Sequence, residues 1–206
     1  MNLLYYFLVS LVISFIGSLP IGLISLTVIQ RTIAKGKRAG LMIAAGATIM
    51  EFVYTFIALK SLDLFTESIE LGNYIKIFST IVFFILGAYY FFKQVSEVSK
   101  PASNYDYFDF LRGFVVGLMN LLIVPFWIFI GVWLQSYGMV FDDNAFIANF
   151  SFGSALGAFI AFYGYIWFSG LIKDRLDQIN NYTNKIFGVV FFGLGIFQLI
   201  QLIQQL

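Results

Sequence analysis

Long apolar runs, separated by short segments that hold almost all of the charges, run through this chain. Charges collect between such runs because a charged side chain near the centre of a bilayer is costly. The runs approach the ~20 residues that a helix needs to cross the hydrocarbon core. They are apolar on every face, which favours helices over the alternating strands of a barrel. Six spans are predicted, at residues 1–30, 39–59, 77–92, 113–141, 144–172 and 186–206.

This pattern predicts an all-α integral membrane protein that forms a single membrane domain over residues 1–206. The composition agrees, because 60% of the residues are hydrophobic and 11% are charged, whereas soluble domains are roughly 45–50% apolar. The first run lacks a positive leading segment and is too long for a signal peptide, so we expect it to be retained as a helix.

Charge and residue usage exclude several classes of function. Twelve Lys and Arg against eleven Asp and Glu give a net charge of +1, which leaves no basic excess for nucleic acid. The chain has no Cys and no His, so it lacks thiolate nucleophiles, imidazole bases and the commonest ligands of soft metals. It also has no P-loop motif for a nucleotide. We therefore expect no enzyme activity, no cofactor and no metal site. The expected partners are the lipid bilayer and a small-molecule substrate.

The distribution of Lys and Arg predicts the orientation. Ten of the twelve lie in the first, third and fifth loops, and only Lys60 and Lys76 lie on the other side. Because basic residues accumulate in cytoplasmic loops, we predict a multi-pass protein of the prokaryotic plasma (inner) membrane. Both termini are then extracytoplasmic.

The two halves of the chain resemble each other. The segment "IVFFILGAYYF" at 81–91 aligns with "VVFFGLGIFQL" at 189–199, an offset of 108 with five identities in eleven positions. The alternative is chance similarity between apolar segments. Two further pairs at nearly the same offset are Pro20 with Pro125 and Gly46 with Gly153.

A duplicated unit of three helices would be inverted, because an odd number of spans brings the second copy in from the opposite side. The expected repeats are residues 1–93 and 110–206. Inverted repeats are typical of secondary transporters, whose site lies near the bilayer midplane between the halves.

Two prolines lie deep inside predicted spans. Pro20 stands two residues before Gly22, and Pro125 follows Asn120 by five residues. Proline removes a backbone donor and clashes with the preceding turn, so we predict that helices 1 and 4 are broken or kinked there. Freed backbone groups at such a break bind charged ligands. These four residues are candidates for substrate binding, and the alternative for each break is an ordinary kink.

Glu51 is the only ionisable residue inside a predicted span, close to its middle. A carboxylate at this depth is by default a functional candidate. It can pair with a substrate ammonium, take up and release a proton, or do both. Tyr54 lies three residues on, on the same helix face, and can supply a hydroxyl. The alternatives are a protonated glutamate bonded to a neighbouring helix and a tyrosine that only packs. The two Gly-x-x-x-Gly motifs at 113–117 and 153–157 predict close helix packing.

Two segments carry a family resemblance: "GSLPIGLISLTVIQRTIAKGKRAGLMIAAGATIME" at 17–51 and "RGFVVGLMNLLIVPFWIFIGVWL" at 112–134. With six spans in about 200 residues, the chain resembles the lysine exporter (LysE) superfamily of bacterial amino-acid exporters. The resemblance implies export of an amino acid or a related metabolite, driven by a proton or ion gradient. The family's Pro-Gly-Pro motif is matched in part by 19–22. Its Asn-Pro motif is split here between Asn120 and Pro125, and its acidic residue in the second span corresponds to Glu51.

We therefore expect a secondary transporter that exports an amino acid or a similar small metabolite, with Glu51 coupling transport to protons. Two alternatives stay open. One is an uncoupled channel or a scramblase-like pathway, and the other is a membrane scaffold subunit that transports nothing. A symmetric homodimer is also left open by the sequence.

Overall fold

The computed structural model describes residues 3–62 and 106–172 continuously, together with individual residues within 77–92 and 185–203. All regular secondary structure among the described residues is helical. The predicted all-α class is confirmed for this part of the chain.

The first stretch contains three helices. Helix α1 covers Leu3–Gly17, α2 covers Leu23–Lys35 and α3 covers Lys37–Lys60. A single residue, Gly36, separates α2 from α3, and its φ of 91° lies in the region that only glycine adopts without strain. The Gly36 amide donates to the Thr32 carbonyl at 2.8 Å, which completes the last turn of α2.

The second stretch also contains three helices. Helix α4 covers Asp106–Met119, α5 covers Ile123–Ser136 and α6 covers Asn144–Ile172. The axes of α4 and α5 differ by 59° across their short break. Asp143 accepts the Ala145 amide at 2.8 Å through its carboxylate, so it satisfies one of the free donors at the start of α6.

Two of the described helices, α3 and α6, are each long and apolar enough to cross a membrane. The bent pair of α4 and α5 raises the number to three if it forms one span, and α1 is a shorter apolar helix. The predicted third and sixth spans lie largely outside the described residues.

The chain divides into two compact units. The first contains Met1–Lys60 and Glu97–Leu176, and the second contains Ser61–Ser96 and Asp177–Leu206. Each unit therefore combines segments from both halves of the chain. In the first unit, one apolar cluster joins α2, α3 and α6, and its buried residues are Ile24, Val28, Ile43, Ala44, Ala47, Ala158, Phe162 and Ile166.

Close helix packing at the two Gly-x-x-x-Gly motifs is confirmed. Gly113 of α4 faces the backbone of Ile43 on α3, and a Cβ there would lie 2.7 Å from the Ile43 Cα. Gly157 of α6 faces α1, where a Cβ would lie 3.0 Å from the Phe15 amide nitrogen. Both pairs of helices approach backbone to backbone, which only glycine permits.

The second unit has its own glycine contacts. A Cβ on Gly87 would lie 3.0 Å from the Phe192 ring, and a Cβ on Gly195 would lie 3.3 Å from the Phe84 ring. The two phenylalanine rings contact each other with centroids 6.0 Å apart. Described residues of 77–92 therefore pack against described residues of 185–203.

Candidate functional site

The Glu51 carboxylate lies in the second half of α3, where side chains from two other helices converge on it. Its Oε1 accepts a hydrogen bond from the Trp127 indole Nε1 at 3.0 Å and one from the Ser14 hydroxyl at 3.3 Å. Both bonds end on the same oxygen. Among the described residues, this arrangement leaves Oε2 to a ligand or a proton.

The two donors come from the helices that flank the breaks in the predicted first and fourth spans. Ser14 lies three residues before the end of α1, and Trp127 lies in the second turn of α5. The indole is fully buried and packs edge-to-face on Phe150 of α6, with ring centroids 5.3 Å apart. The packing fixes the direction of the Nε1–H bond, so the carboxylate is held at a defined point between the two breaks.

Neither Ser14 nor Trp127 is identified by sequence reasoning. A serine in an apolar helix and a tryptophan in an aromatic run have no distinctive spacing to Glu51. Their role depends on which helices pack together. The one available signal is that Trp127 follows Pro125 by two residues.

The first break, between α1 and α2, holds Pro20 and Gly22. Helix α2 begins without a side-chain cap, and the Gly22 carbonyl accepts the Leu26 amide at 2.9 Å. Helix geometry leaves the amides of 23–25 without acceptors inside the helix. A Cβ on Gly22 would meet no atom within 4 Å among the described residues, so there is open space beside this backbone. A turn with free amides beside open space suits an anionic group.

The second break, between α4 and α5, differs from the first. The Asn120 carbonyl accepts the Ile123 amide at 3.3 Å, and the Leu121 carbonyl accepts the Val124 amide at 3.2 Å. Pro125, the third residue of α5, has no amide to donate. The first donors of α5 are therefore already used or missing, which makes this break a weaker anion site than the first.

Tyr54 does not bond to Glu51 through its hydroxyl; it bonds to the second break. Its hydroxyl donates to the Leu118 carbonyl at 2.6 Å, one residue before the end of α4. Tyr165 on α6 donates in the same way to the Leu19 carbonyl in the first break. Each break thus has one carbonyl satisfied by a tyrosine from a neighbouring long helix, and Tyr165 is a third residue that the sequence does not single out.

The sequence profile of the LysE type translocator family matches residues 15–202, which include Glu51, Trp127 and both helix breaks; Ser14 lies one residue before the match. The chain belongs to the LysE type translocator family. Neither a curated protein nor a solved structure matches the chain. The family and the apolar helices make this LysE translocator a multi-pass membrane transport protein, in agreement with the expectation that it is not an enzyme.

A seam of hydroxyls extends from Glu51 into the contact between α3 and α6 of this translocator. The Thr55 hydroxyl donates to the Glu51 carbonyl at 2.7 Å and lies 2.9 Å from the Ser154 hydroxyl. Ser154 and Thr55 are fully buried. The seam fixes the helix turn that carries Glu51 and adds no second carboxylate to it.

Two charged residues are placed differently from the sequence prediction. The charge pattern puts Arg31 in the first loop and Asp109 in the third, but they lie within α2 and α4 and are buried. Their side chains form an ion pair, in which Nε of Arg31 donates to Oδ1 of Asp109 at 2.7 Å. Two charges that the sequence assigns to loops are therefore buried inside helices. Two opposite charges that neutralise each other can be buried together.

Among the described residues, no group of three or more Asp and Glu side chains is arranged to hold a metal ion. The site consists of one carboxylate, an indole donor, hydroxyls and backbone groups at two helix breaks. It can bind a small molecule that carries both charge signs, and it can exchange a proton at Glu51.

Proposed function

We propose that this translocator exports an amino acid or a similar small zwitterion across the prokaryotic plasma membrane, driven by the proton gradient. The observation that carries the proposal is the Glu51 carboxylate within a membrane helix, held by Ser14 and Trp127. A carboxylate inside a membrane helix that receives, among the described residues, hydrogen bonds on one oxygen is costly to keep unless it serves a ligand or a proton.

In the proposed bound state, the two ends of the substrate meet two different groups. The substrate carboxylate accepts hydrogen bonds from the free amides at the start of α2, beside Pro20 and Gly22. The substrate ammonium pairs with Oε2 of Glu51. Asn120 and Pro125 shape the opposite break, and Tyr54 holds that break in place through Leu118.

Coupling follows from the charge of Glu51. The ionised carboxylate attracts an ammonium, whereas the protonated carboxyl has no net charge with which to hold it. Protonation from the extracytoplasmic side then releases the substrate there, and loss of the proton towards the cytoplasm restores the binding state. Each cycle in this scheme exchanges one proton for one substrate molecule.

The inverted repeat is part of this proposal, and reciprocal contacts support it. Gly87 contacts Phe192, and Gly195 contacts Phe84. The offset of 108 residues relates Gly87 to Gly195 and Phe84 to Phe192. A two-fold axis between two equivalent segments produces such reciprocal contacts, because each contact is repeated between the equivalent residues. Chance similarity between apolar segments gives no reason for such pairing.

The hydrogen bonds before the prolines are also equivalent in the two halves. The Leu19 amide donates to Ile16 at 3.2 Å just before Pro20, and the Val124 amide donates to Leu121 at 3.2 Å just before Pro125. Each proline lacks the amide that would reach the carbonyl four residues earlier. In each case the preceding residue bonds to that carbonyl instead, so we attribute both breaks to proline.

The orientation and the assembly remain proposals as well. With both termini extracytoplasmic, α2 and α4 are the cytoplasmic parts of the two broken spans, and α1 and α5 are the extracytoplasmic parts. A symmetric homodimer is compatible with this arrangement.

The test is uptake and efflux of a panel of amino acids by purified protein in liposomes, with and without an imposed pH gradient. We expect flux of one or a few amino acids that the gradient drives against their concentration difference. Flux that only follows the amino-acid gradient would indicate an uncoupled channel. Lipid transfer between leaflets without amino-acid flux would indicate a scramblase. Absence of flux would favour a scaffold subunit.

A further inference from the structure

The ion pair between Arg31 and Asp109 has no part in the site described above. It joins α2 to α4, the parts of the two broken spans that lead to the cytoplasm in the proposed orientation. Only 4% of the Arg31 side chain and none of the Asp109 side chain are exposed. Gly113, one turn after Asp109 on α4, faces the backbone of Ile43 on α3. Glu51 lies two turns further along α3 than Ile43. The pair is therefore offset from Glu51 towards the cytoplasm.

The pair is incompletely satisfied. Nε and Nη2 of Arg31 both donate to Oδ1 of Asp109, and Nη1 of Arg112 lies 3.8 Å from the same oxygen. Among the described residues, Nη1 of Arg31 and Oδ2 of Asp109 are buried without a hydrogen-bond partner. The pair thus keeps one unpaired donor on its cation and one unpaired acceptor on its carboxylate.

Breaking such a pair is costly because each partner becomes an uncompensated buried charge. A lone ammonium or a lone carboxylate compensates only one of the two residues. A zwitterion compensates both, since its carboxylate matches the guanidinium fork and its ammonium matches the aspartate. A molecule with both charges can therefore separate α2 from α4 without leaving a buried charge unpaired.

We propose that Arg31 and Asp109 form a second, cytoplasmic substrate site, at which an arriving zwitterion replaces the ion pair and so opens the way between α2 and α4. The carboxylate of the ligand binds Arg31 and its ammonium binds Asp109. Re-formation of the pair behind the departing ligand closes the route again. This inference rests on the proposed function, because it assumes that the transported ligand carries both charges.

Val116 of α4 can report the opening. It lies two turns after Asp109 on the same helix face, and it packs against the cluster that contains Ile24 and Val28 of α2. The chain has no cysteine, so Val116→Cys introduces a single thiol. The measurement is the rate at which this thiol in inside-out vesicles reacts with a membrane-impermeant maleimide. Ala34→Cys on the exposed side of α2 is the matched control.

We expect the rate at Val116→Cys to rise at least severalfold when a transported amino acid is added. The matched amine and the matched carboxylic acid, which lack one of the two charges, should leave it unchanged. The rate at Ala34→Cys should be the same in all conditions. A response to the amine or the acid alone, or no response to an amino acid that the protein transports, would overturn the inference while leaving the proposed function intact.

Two variants separate a substrate site from a purely structural pair. Asp109→Asn should make Val116→Cys react rapidly without any amino acid. The double change Arg31→Met with Asp109→Leu replaces the pair by apolar contacts, which buried sites often tolerate. We expect that protein to fold, to keep the thiol protected and to lose the response to amino acids. A response in the double variant equal to that of the wild type would overturn the inference. Absence of amino-acid flux in the wild type would instead contradict the proposed function itself.

Discussion

At the scale of single residues, the function depends on how the Glu51 carboxylate is held. The Trp127 indole donates to it at 3.0 Å from a fully buried position, so the bond is both directed and shielded from water. Hydrogen bonds to charged groups contribute more than neutral ones, about 1.5–3 kcal/mol each. The indole bond is also the shorter of the two described side-chain hydrogen bonds that position Glu51.

Replacing Trp127 by Phe keeps most of the apolar volume and removes the donor. We expect the flux at limiting substrate to fall roughly tenfold or more, in line with the loss of one such bond. Trp133→Phe on the same helix is the control, because Trp133 is 47% exposed and contacts Tyr137 rather than Glu51. Equal flux in the two variants would contradict the role given to the indole.

The sequence identifies some residues of this site and misses others. Glu51 stands out because it interrupts an apolar run, and Pro20 and Pro125 stand out because proline is rare in the chain. Ser14 and Trp127 do not, because their contacts depend on the packing of α1 and α5 against α3. The charge pattern assigns Arg31 and Asp109 to loops because it considers each charge by itself, whereas the burial of a charge depends on its partner.

At the scale of helices, the first unit depends on glycine contacts that let backbones approach. A Cβ on Gly113 would lie 2.7 Å from the Ile43 Cα, a distance at which one helix must shift. Gly46 of α3 faces α4 from the other side, where a Cβ on Gly46 would lie 2.7 Å from the Phe114 amide nitrogen. The Gly-x-x-x-Gly spacing predicted such packing in advance, although it did not predict the partner helix.

Gly113→Ala should destabilise the protein by about 1–3 kcal/mol, the usual cost of forcing extra atoms into a packed contact. Gly164→Ala on α6 is the matched control, because a Cβ there meets no atom within 4 Å among the described residues. In a helix interior, that change should be neutral or stabilising by up to about 1 kcal/mol. Thermal unfolding of both variants in detergent measures the difference, and an equal Tm would contradict the packing account.

The break between α1 and α2 leads to an expectation for substrate binding. Gly22→Ala adds a methyl group into open space at an ordinary φ of −99°, so the fold should tolerate it. In the proposed function, the substrate carboxylate occupies that space. We expect the KM for the transported amino acid to rise severalfold while the Tm changes little. Unchanged transport would move the carboxylate site away from α2.

At the scale of the whole molecule, the fold class followed from composition and run length, and α3 and α6 agree with the predicted second and fifth spans. The count of six spans and the repeat boundaries at 1–93 and 110–206 stay predictions. Charge spacing predicts where apolar runs end, but it does not reveal that α4 begins at Asp106, because a buried pair allows a charged residue inside a helix.

The orientation is testable because the chain has no native thiol. Ala34→Cys, beside the basic first loop, should react with an impermeant maleimide from the cytoplasmic side only. Tyr137→Cys, at a position that is 73% exposed after α5, should react from the opposite side only. The reverse pattern in intact cells and inverted vesicles would mean that the basic loops face outward.

The decisive measurement compares wild-type protein with Glu51→Gln in liposomes, recording amino-acid flux and proton movement together under an imposed pH gradient. Glutamine keeps the size and the hydrogen-bonding capacity of the side chain and removes only its charge and its exchangeable proton. We expect both coupled fluxes to be lost in the variant while its Tm stays close to that of the wild type. Amino-acid flux and proton movement that continue undiminished in Glu51→Gln would contradict the assignment of Glu51 as the substrate and proton site.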